Sequence, residues 1–388
     1  MMNLSDMLGY ADIGQLSRIA AVYRCQCNGN SKNDLIQAIL STVSRHDVFD
    51  SQIDTMKLDE LRFLNSLLFE SRESYSLEDL IARAQQSRFG LEAEVKAPEN
   101  APSKPKQRKK KPQPEPQPFS PRDMIARFKH QGWLFNGYSG PGRYMFQVPG
   151  DLKQRFRETL RRRFAEELVY SDEPPFYRDE QTLLKDDIHL FLQYVQRHEI
   201  GLMPDGSMYK RFVQQALEHM AIREELPSKG EWRFGYGRHF NHYPDRFSLL
   251  YDYCMSIGTL EESGGRLSLT EAGRARLADP PRHEDERLYR YWLKLYKTPV
   301  SNLLSLVHWI QALASEWVTA ESLKKNLLPF VKPYYYDSAE AVLERRVWTM
   351  MLHLGLLRIG EHPVHGTVLR MTRAGNAIVK GEGLADGR

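Results

Sequence analysis

Two histidine pairs, His239 with His242 and His362 with His365, recur at a three-residue interval that could bring both imidazoles to one metal ion. Neither pair has a cysteine or a third ligand close in sequence, and each falls in a loop or hairpin, so packed or solvent-facing imidazoles is the simpler reading. Cys25, Cys27 and distant Cys254 match neither a disulfide framework nor a common zinc spacing, which points to a reducing cytoplasm. The glycine-rich run from Gly137 to Tyr144 lacks the lysine of a phosphate-binding loop, and Gly-x-x-x-x-Gly-Lys followed by Ser or Thr occurs nowhere in the chain. The carboxylates of HEDER and KDD read as charges on helix surfaces, and no nucleophile with its base is nominated. The expectation is a non-enzymatic protein with no catalytic, cofactor-binding or metal-binding residue.

Cations that could neutralise phosphate are the other chemistry on offer. With 54 basic against 50 acidic residues the net charge of +4 decides nothing, so clustering must. The densest cluster runs from Lys104 to Lys111 and includes Lys109, Lys110 and Lys111; Arg161-Arg162-Arg163 and Arg345-Arg346 follow. The first reads as a solvated linker that also attracts phosphate without sequence preference, and the second as a solvated helix face. Tyr334-Tyr335-Tyr336 and the stretch WRFGYGRHFNHY, with Arg233 and Arg238, could pack into their own core, dock a protein, or stack on unpaired bases.

A chain of 388 residues exceeds one hydrophobic core, and 41% apolar with 27% charged residues is globular rather than disordered. No apolar run approaches the ~20 residues of a membrane span, and the N-terminus shows no secretion signal. Val95 to Pro118 is proline- and lysine-rich and reads as a mobile tether. Before it, apolar residues at Ile13, Leu16, Ile19, Ala20 and Tyr23, then Leu35, Ile36, Ile39 and Leu40, predict a small helical hairpin that looks like SAP-type or Rho-N-type modules.

An internal repeat organises the remainder. Ser248 to Asp279 and Glu344 to Gly381 each hold an apolar helix, a glycine (Gly258, Gly355), a short strand, a glycine-bearing tip, a second strand and Thr-x-Ala-Gly. Gly258 and Gly355 suit a left-handed C-cap, Gly264-Gly265 and Gly366 suit hairpin tips, and Thr270 and Thr372 suit N-caps. Upstream, each copy has helix, short strand, helix and an aromatic insertion, the order of a winged helix. A third copy emerges when the tether is taken as such an insertion: Leu58 to Phe69, ESYS, Leu77 to Ala84, then Ser120 capping Pro121 to His130, and a wing in GWLFNGYSGPGRYMFQVP. The fold class expected is mainly α with small β-hairpins (α+β), as tandem winged helices. The divisions are a helical module (1–54), a first winged helix (55–152) with a disordered insertion (90–118), a connector (153–181), a second winged helix (182–280), a connector (281–299), a third (300–381) and a flexible tail (382–388).

The order of elements, and above all LLKDDIHLFLQYVQRHEIGLMPDGSMYKRFVQQAL with RLSLTEAGRARL, resembles bacterial helicase-associated proteins related to the N-terminal region of XPB-type helicases. The resemblance implies a DNA-transaction context without a motor domain. In a winged helix the third helix enters the major groove and the wing touches the backbone. The expected contacts are therefore Arg345, Arg346, Arg358 and Arg370 in the last unit, and Arg122, Arg127, Lys129 and Arg143 in the first. Lys210 and Arg211 are the candidates in the middle unit, whose third helix is nearly free of positive charge and reads as buried or protein-facing. Two functions compete: a DNA-binding accessory protein on duplex or single strand, and a scaffold docking on RNA polymerase or a helicase. The basic tether, Arg345-Arg346 and the resemblance favour DNA.

Overall fold

Serine and threonine side chains set many of the helix boundaries. Ser31, Ser76, Ser120, Thr270, Thr319, Ser338 and Thr372 each accept the backbone N–H three residues on, satisfying a donor that the first helical turn cannot. The computed structural model describes residues 2–70, 72–90, 120–137, 140–228 and 237–381. Lys109, Lys110 and Lys111 with the rest of the tether, Arg233 and its aromatic neighbours, and the tail 382–388 lie outside the described residues. The fold is mainly helical with small antiparallel sheets, in two compact units, Met1–Arg163 and Phe164–Arg388.

The first unit begins with α1 (Leu4–Tyr10), α2 (Ile13–Val22), α3 (Lys32–Val43) and α4 (His46–Asp54). It continues with α5 (Leu58–Leu68), α6 (Leu77–Gln86), α7 (Pro121–His130), strands β1 (Phe135–Asn136) and β2 (Phe146–Gln147), and α8 (Gly150–Glu166), which runs on to the unit's edge. Tyr75 bridges to Phe146 of β2, and β2 pairs with β1. The segments read from sequence as 1–54 and 55–152 share one core. Trp133 packs edge-on against Phe128 and Phe156, Phe156 meets Phe49, and the Trp133 indole N–H donates to the Tyr23 hydroxyl at 3.0 Å.

The second unit carries β3 (Phe176–Arg178), α9 (Leu183–Arg197), β4 (Ile200–Gly201), α10 (Lys210–His219) and α11 (Asp245–Ser256). The hairpin β5 (Leu260–Ser263) and β6 (Arg266–Leu269) leads into α12 (Glu271–Ala278) and α13 (Glu284–Tyr296). The pattern then recurs as α14 (Leu303–Leu313), β7 (Val318–Thr319), α15 (Ala320–Leu327), a third helix, β8 (Leu357–His362), β9 (Gly366–Met371) and α18 (Arg373–Lys380). That third helix is built of α16 (Ala339–Ala341), a wide π-helical stretch (Val342–Trp348) and α17 (Thr349–His353). Strand orders are β4-β6-β5 and β3-β8-β9-β7, so each copy pairs its first strand with the returning strand of its hairpin, as Tyr75 pairs with β2. The outer strand β3 had no counterpart in the sequence reading.

The Thr-x-Ala-Gly motif has the same physical cause in both copies. The Thr270 and Thr372 hydroxyls donate to the carbonyls of Gly258 and Gly355 at 2.6 and 2.8 Å, and accept the N–H of Gly273 and Gly375 at 3.1 and 2.8 Å. One side chain thus ties the end of the third helix to the start of the fourth. Gly273 and Gly375 are glycine because a β-carbon there would collide with the carbonyl oxygens of Thr259 and Leu356.

Candidate nucleic-acid interface

Most arginines of the first unit are committed to the fold. Arg155 donates to the carbonyls of Val43, Ser44 and Arg45 at the end of α3, Arg157 to that of Leu68 at the end of α5, and Arg62 to those of Ser87 and Phe89 past α6. These are helix C-termini, where orphan carbonyls and the negative end of the macrodipole favour a cation. Arg162 and Arg163 pair with Asp50 and Asp54, so that face of α8 is tied to α4 rather than merely solvated. Arg127 pairs with Glu60.

Of the described arginines of this unit left without such a partner, Arg24 and Arg161 are exposed elsewhere, and Arg18, Arg122 and Arg143 lie on or beside α7 and the hairpin after it. Arg122, His130 and Arg143 are exposed, as is Tyr144 at 82%. A cleft of about 420 Å³ opens where the C-terminal half of α7 and the hairpin face α1 and α2. Arg18, Lys129 and His130 line it with Tyr10, Gln15 and Asn136. Lys129 donates to Asn136 Oδ1 at 2.8 Å, and burial, then the neighbouring Arg18 charge, lower its pKa against a smaller opposing pull from Asp12. Asp12 meanwhile caps α2 by accepting the Gln15 N–H at 2.7 Å. The Gln15 amide nitrogen is buried with no hydrogen-bond partner among the described residues. Two like charges converging on a half-buried space are stabilised by an anion between them. The first-unit residues read from sequence as contacts (Arg122, Arg127, Lys129, Arg143) thus share α7 and its hairpin, with Arg127 ion-paired. Arg18 and the cleft were missed, because no sequence signal places α2 against α7.

The second unit offers a different surface. Along α11, Arg246 to Cys254 are all buried, in keeping with the sequence reading of that helix. Arg346 is the correction. Only 5% exposed, it donates to Asp337 Oδ2 at 2.9 Å and Asp245 Oδ2 at 2.6 Å, so it faces the neighbouring repeat and cannot reach a phosphate. Arg345, its neighbour, is exposed. Beside it, the Lys324 ammonium sits between Glu340 at 2.6 Å, Glu344 at 3.0 Å and Glu321 at 3.2 Å. The hydrogen bonds it donates to Glu340 and Glu344 hold that lysine above its ordinary value. Three carboxylates around one ammonium leave the groove between α15, the third helix and the β8–β9 hairpin acidic, which repels phosphate. Arg358 pairs with Asp179 at 2.7 Å and Arg370 with Glu316 at 3.4 Å. Lys210 and Arg211 are exposed at the start of α10.

A buried ionic cluster joins the two repeats of this unit. Arg246 lies 2.7 Å from Asp187 and 3.5 Å from Glu180, and Glu180 also meets His353 Nδ1 at 2.9 Å. Burial alone would raise the Glu180 carboxyl, but the His353 hydrogen bond and the His353, Arg178 and Arg246 charges together hold it below its ordinary value.

The histidine pairs part company in the structure. His239 turns to Glu262 at 3.2 Å and His242 to Asp205 at 3.1 Å, while the His362 and His365 rings lie 4.9 Å apart near the β8–β9 tip. Among the described residues no three His, Cys, Asp or Glu side chains are grouped to hold a metal. Of the aromatic insertions, Tyr243 is fully buried against Phe247 and Tyr251, whereas Tyr335 and Tyr336 are 79% and 83% exposed. Among the described residues no helix is long and apolar enough to cross a membrane. No family model, no curated protein and no solved structure matches the chain.

Proposed function

We propose that the protein is a non-enzymatic nucleic-acid-binding accessory protein made of three winged-helix repeats, of which the first contacts the nucleic acid. The order helix, strand, helix, helix and hairpin, with the first strand against the returning one, supports the winged-helix reading in each repeat. One observation carries the functional reading. The first repeat keeps Arg122, His130 and Arg143 exposed on its third helix and hairpin, with Arg18 lining the same cleft as His130, and none of these has an ion-pair partner among the described residues. In the second unit α11 is buried from Arg246 to Cys254, and Arg346 of the last repeat is turned inward. The first repeat therefore supplies the phosphate contacts, and the paired repeats serve as architecture for a larger DNA-handling assembly.

Fluorescence anisotropy with duplex and single-stranded oligonucleotides across a salt series tests this. Affinity that falls steeply with salt is expected, since each neutralised phosphate releases counterions. No binding at low salt overturns the reading. A second reading, a scaffold for RNA polymerase or a helicase, is favoured by one feature: Tyr335, Tyr336, Phe176 and Val364 in the second unit are each about four-fifths exposed. Tyr is enriched where proteins dock. Under that reading oligonucleotides bind negligibly, and the double change Tyr335→Ser, Tyr336→Ser weakens binding to the purified machine.

A further inference from the structure

We propose that the tip of the β8–β9 hairpin is a proton-operated latch: a neutral His362 ring holds it closed, and protonation of that ring releases it. The inference goes beyond the reading of function given above and does not depend on it.

The latch is a matter of donors and acceptors. The backbone N–H groups of Val364 and His365 both point at His362 Nδ1, each at 3.2 Å. A backbone nitrogen can only donate, so Nδ1 must present its lone pair. A neutral imidazole holds one ring proton, which therefore sits on Nε2, whereas the imidazolium carries a proton on both nitrogens and accepts nothing. Charging His362 replaces two attractive contacts by three N–H groups that face one another. Other histidines of the chain are placed the opposite way. His198 and His219 aim Nδ1 at the carbonyls of Tyr194 and Gln215, and His239, His242 and His353 face carboxylates. A proton gained at those rings keeps or strengthens the contact; at His362 it removes two.

The surroundings reinforce the direction. His362 pairs in register with Gly366, whose φ is 67°, so the two bonds close a loop made of Pro363, Val364 and His365. The His365 ring lies 4.9 Å from that of His362, and protonating both sets like charges side by side. Glu361, the neighbour on β8, accepts the Thr367 hydroxyl at 2.9 Å, and β3 places Phe176 opposite it. His365, Gly366 and Thr367 also form one wall of the groove of about 430 Å³ that α15 and the third helix line from the other side. There Lys324 is set among Glu321, Glu340 and Glu344, and this excess of carboxylates attracts an imidazolium at His365 once the tip is free. The closed tip binds fewer protons at His362 than the open one, so acid favours opening and the closed form gains as pH rises. Release of the tip changes the mouth of the groove.

The test is an NMR titration of the full chain, isotope-labelled in histidine and valine, from about pH 8 to about pH 5, the interval in which imidazoles change charge. At the alkaline end the His362 ring should carry its proton on Nε2 alone. As the ring charges, the Val364 amide proton should shift upfield with the same midpoint as the ring nitrogens. His362→Asn supplies a side-chain oxygen that accepts from the same amides without titrating, and should hold the Val364 signal fixed. His365→Gln should leave the Val364 shift in place, since the acceptor is His362. Unchanged signals away from the hairpin verify that the variants fold. A proton on Nδ1 at the alkaline end, or a Val364 amide that stays put while the His362 ring titrates, overturns the proposal. Both are read on the unaltered chain, so a variant that fails to fold leaves the test standing. A Val364 shift that persists in His362→Asn also overturns it.

Discussion

Arg346 reaches from the third helix of the last repeat to Asp245, the first residue of α11, with Nη1 2.6 Å from Asp245 Oδ2. Its Nε holds Asp337 at 2.9 Å, so one guanidinium joins the start of α11 to the insertion ahead of its own helix. Together with His353 and Glu180, 2.9 Å apart, this contact turns the two third helices of the second unit toward each other. A helix committed in this way cannot also lie in a major groove. One of the side chains read from the sequence as a phosphate contact is an internal tie.

Removing that tie should cost stability rather than nucleic-acid affinity. Arg346→Ala leaves the Asp337 carboxylate, itself 7% exposed, without its counter-charge. Breaking a buried pair from one side costs about 3 kcal/mol or more, whereas Arg345→Ala, at an exposed position, should stay within about 0.5 kcal/mol. Urea unfolding of both variants checks this. An Arg346→Ala protein as stable as the parent would mean the pair is not formed.

The Thr-x-Ala-Gly motif gives a second expectation. Thr372→Ala removes an N-cap and a hydroxyl donor to the Gly355 carbonyl, a loss of about 1 kcal/mol. Gly375→Ala should cost more, because its β-carbon meets the Leu356 carbonyl and backbone must move. The same ranking should hold for Thr270→Ala and Gly273→Ala. Thermal melts of the four variants decide it. A glycine change milder than its threonine partner would show that the close approach is not required.

Thr270 and Thr372, with their glycines, were readable because an N-cap and a close backbone approach are local demands on residue type. Gly258, Gly264, Gly265, Gly355 and Gly366 all take positive φ at the expected cap and hairpin positions for the same reason. Ser120 could be placed as the cap of α7 although a long insertion precedes it. Arg346, Arg155 and Arg157 could not be read, because an arginine bound to a carbonyl or carboxylate a hundred residues away has the same local sequence as a solvated one. Strand β3 was invisible too: three residues, all exposed, carry no alternating pattern. The cleft is a product of α2 packing on α7, a tertiary fact that Arg18 and Lys129 do not announce.

Lys153 leads to a pH-dependent expectation. Its side chain is 2% exposed, and its ammonium has no hydrogen-bond partner among the described residues. Burial, then the Arg157 charge, lower its pKa below the ordinary lysine value, while burial pushes the neighbouring Tyr75 hydroxyl up to about 12. The folded state holds this proton less tightly than the unfolded chain, so the penalty is full below the lowered value. Stability contributed here therefore rises as pH climbs from that value toward the ordinary lysine range near 10.5. Lys153→Met should raise the unfolding free energy of the first unit at about pH 7 by about 1 kcal/mol, read as a higher urea midpoint, and remove this part of the pH dependence. Pulse proteolysis in urea at about pH 7 and about pH 10 provides the comparison. A less stable Lys153→Met protein would mean that the ammonium has a stabilising role the burial argument misses.

The final expectation separates the two units by salt. If the first repeat supplies the phosphate contacts, Arg122→Ala and Arg143→Ala should each reduce the slope of log affinity against log salt by about 1, because each removes one released counterion. Their effects should add, since the two side chains have no partner in common. In the second unit, Arg345→Ala should leave the slope unchanged, for its neighbours Glu340 and Glu344 make that surface acidic. Lys210→Ala with Arg211→Ala is the discriminating control, because both side chains are exposed at the start of α10 and no carboxylate is paired with them among the described residues. A slope lost in that double variant and kept in Arg122→Ala with Arg143→Ala would move the interface from the first repeat to the second helix of the middle one.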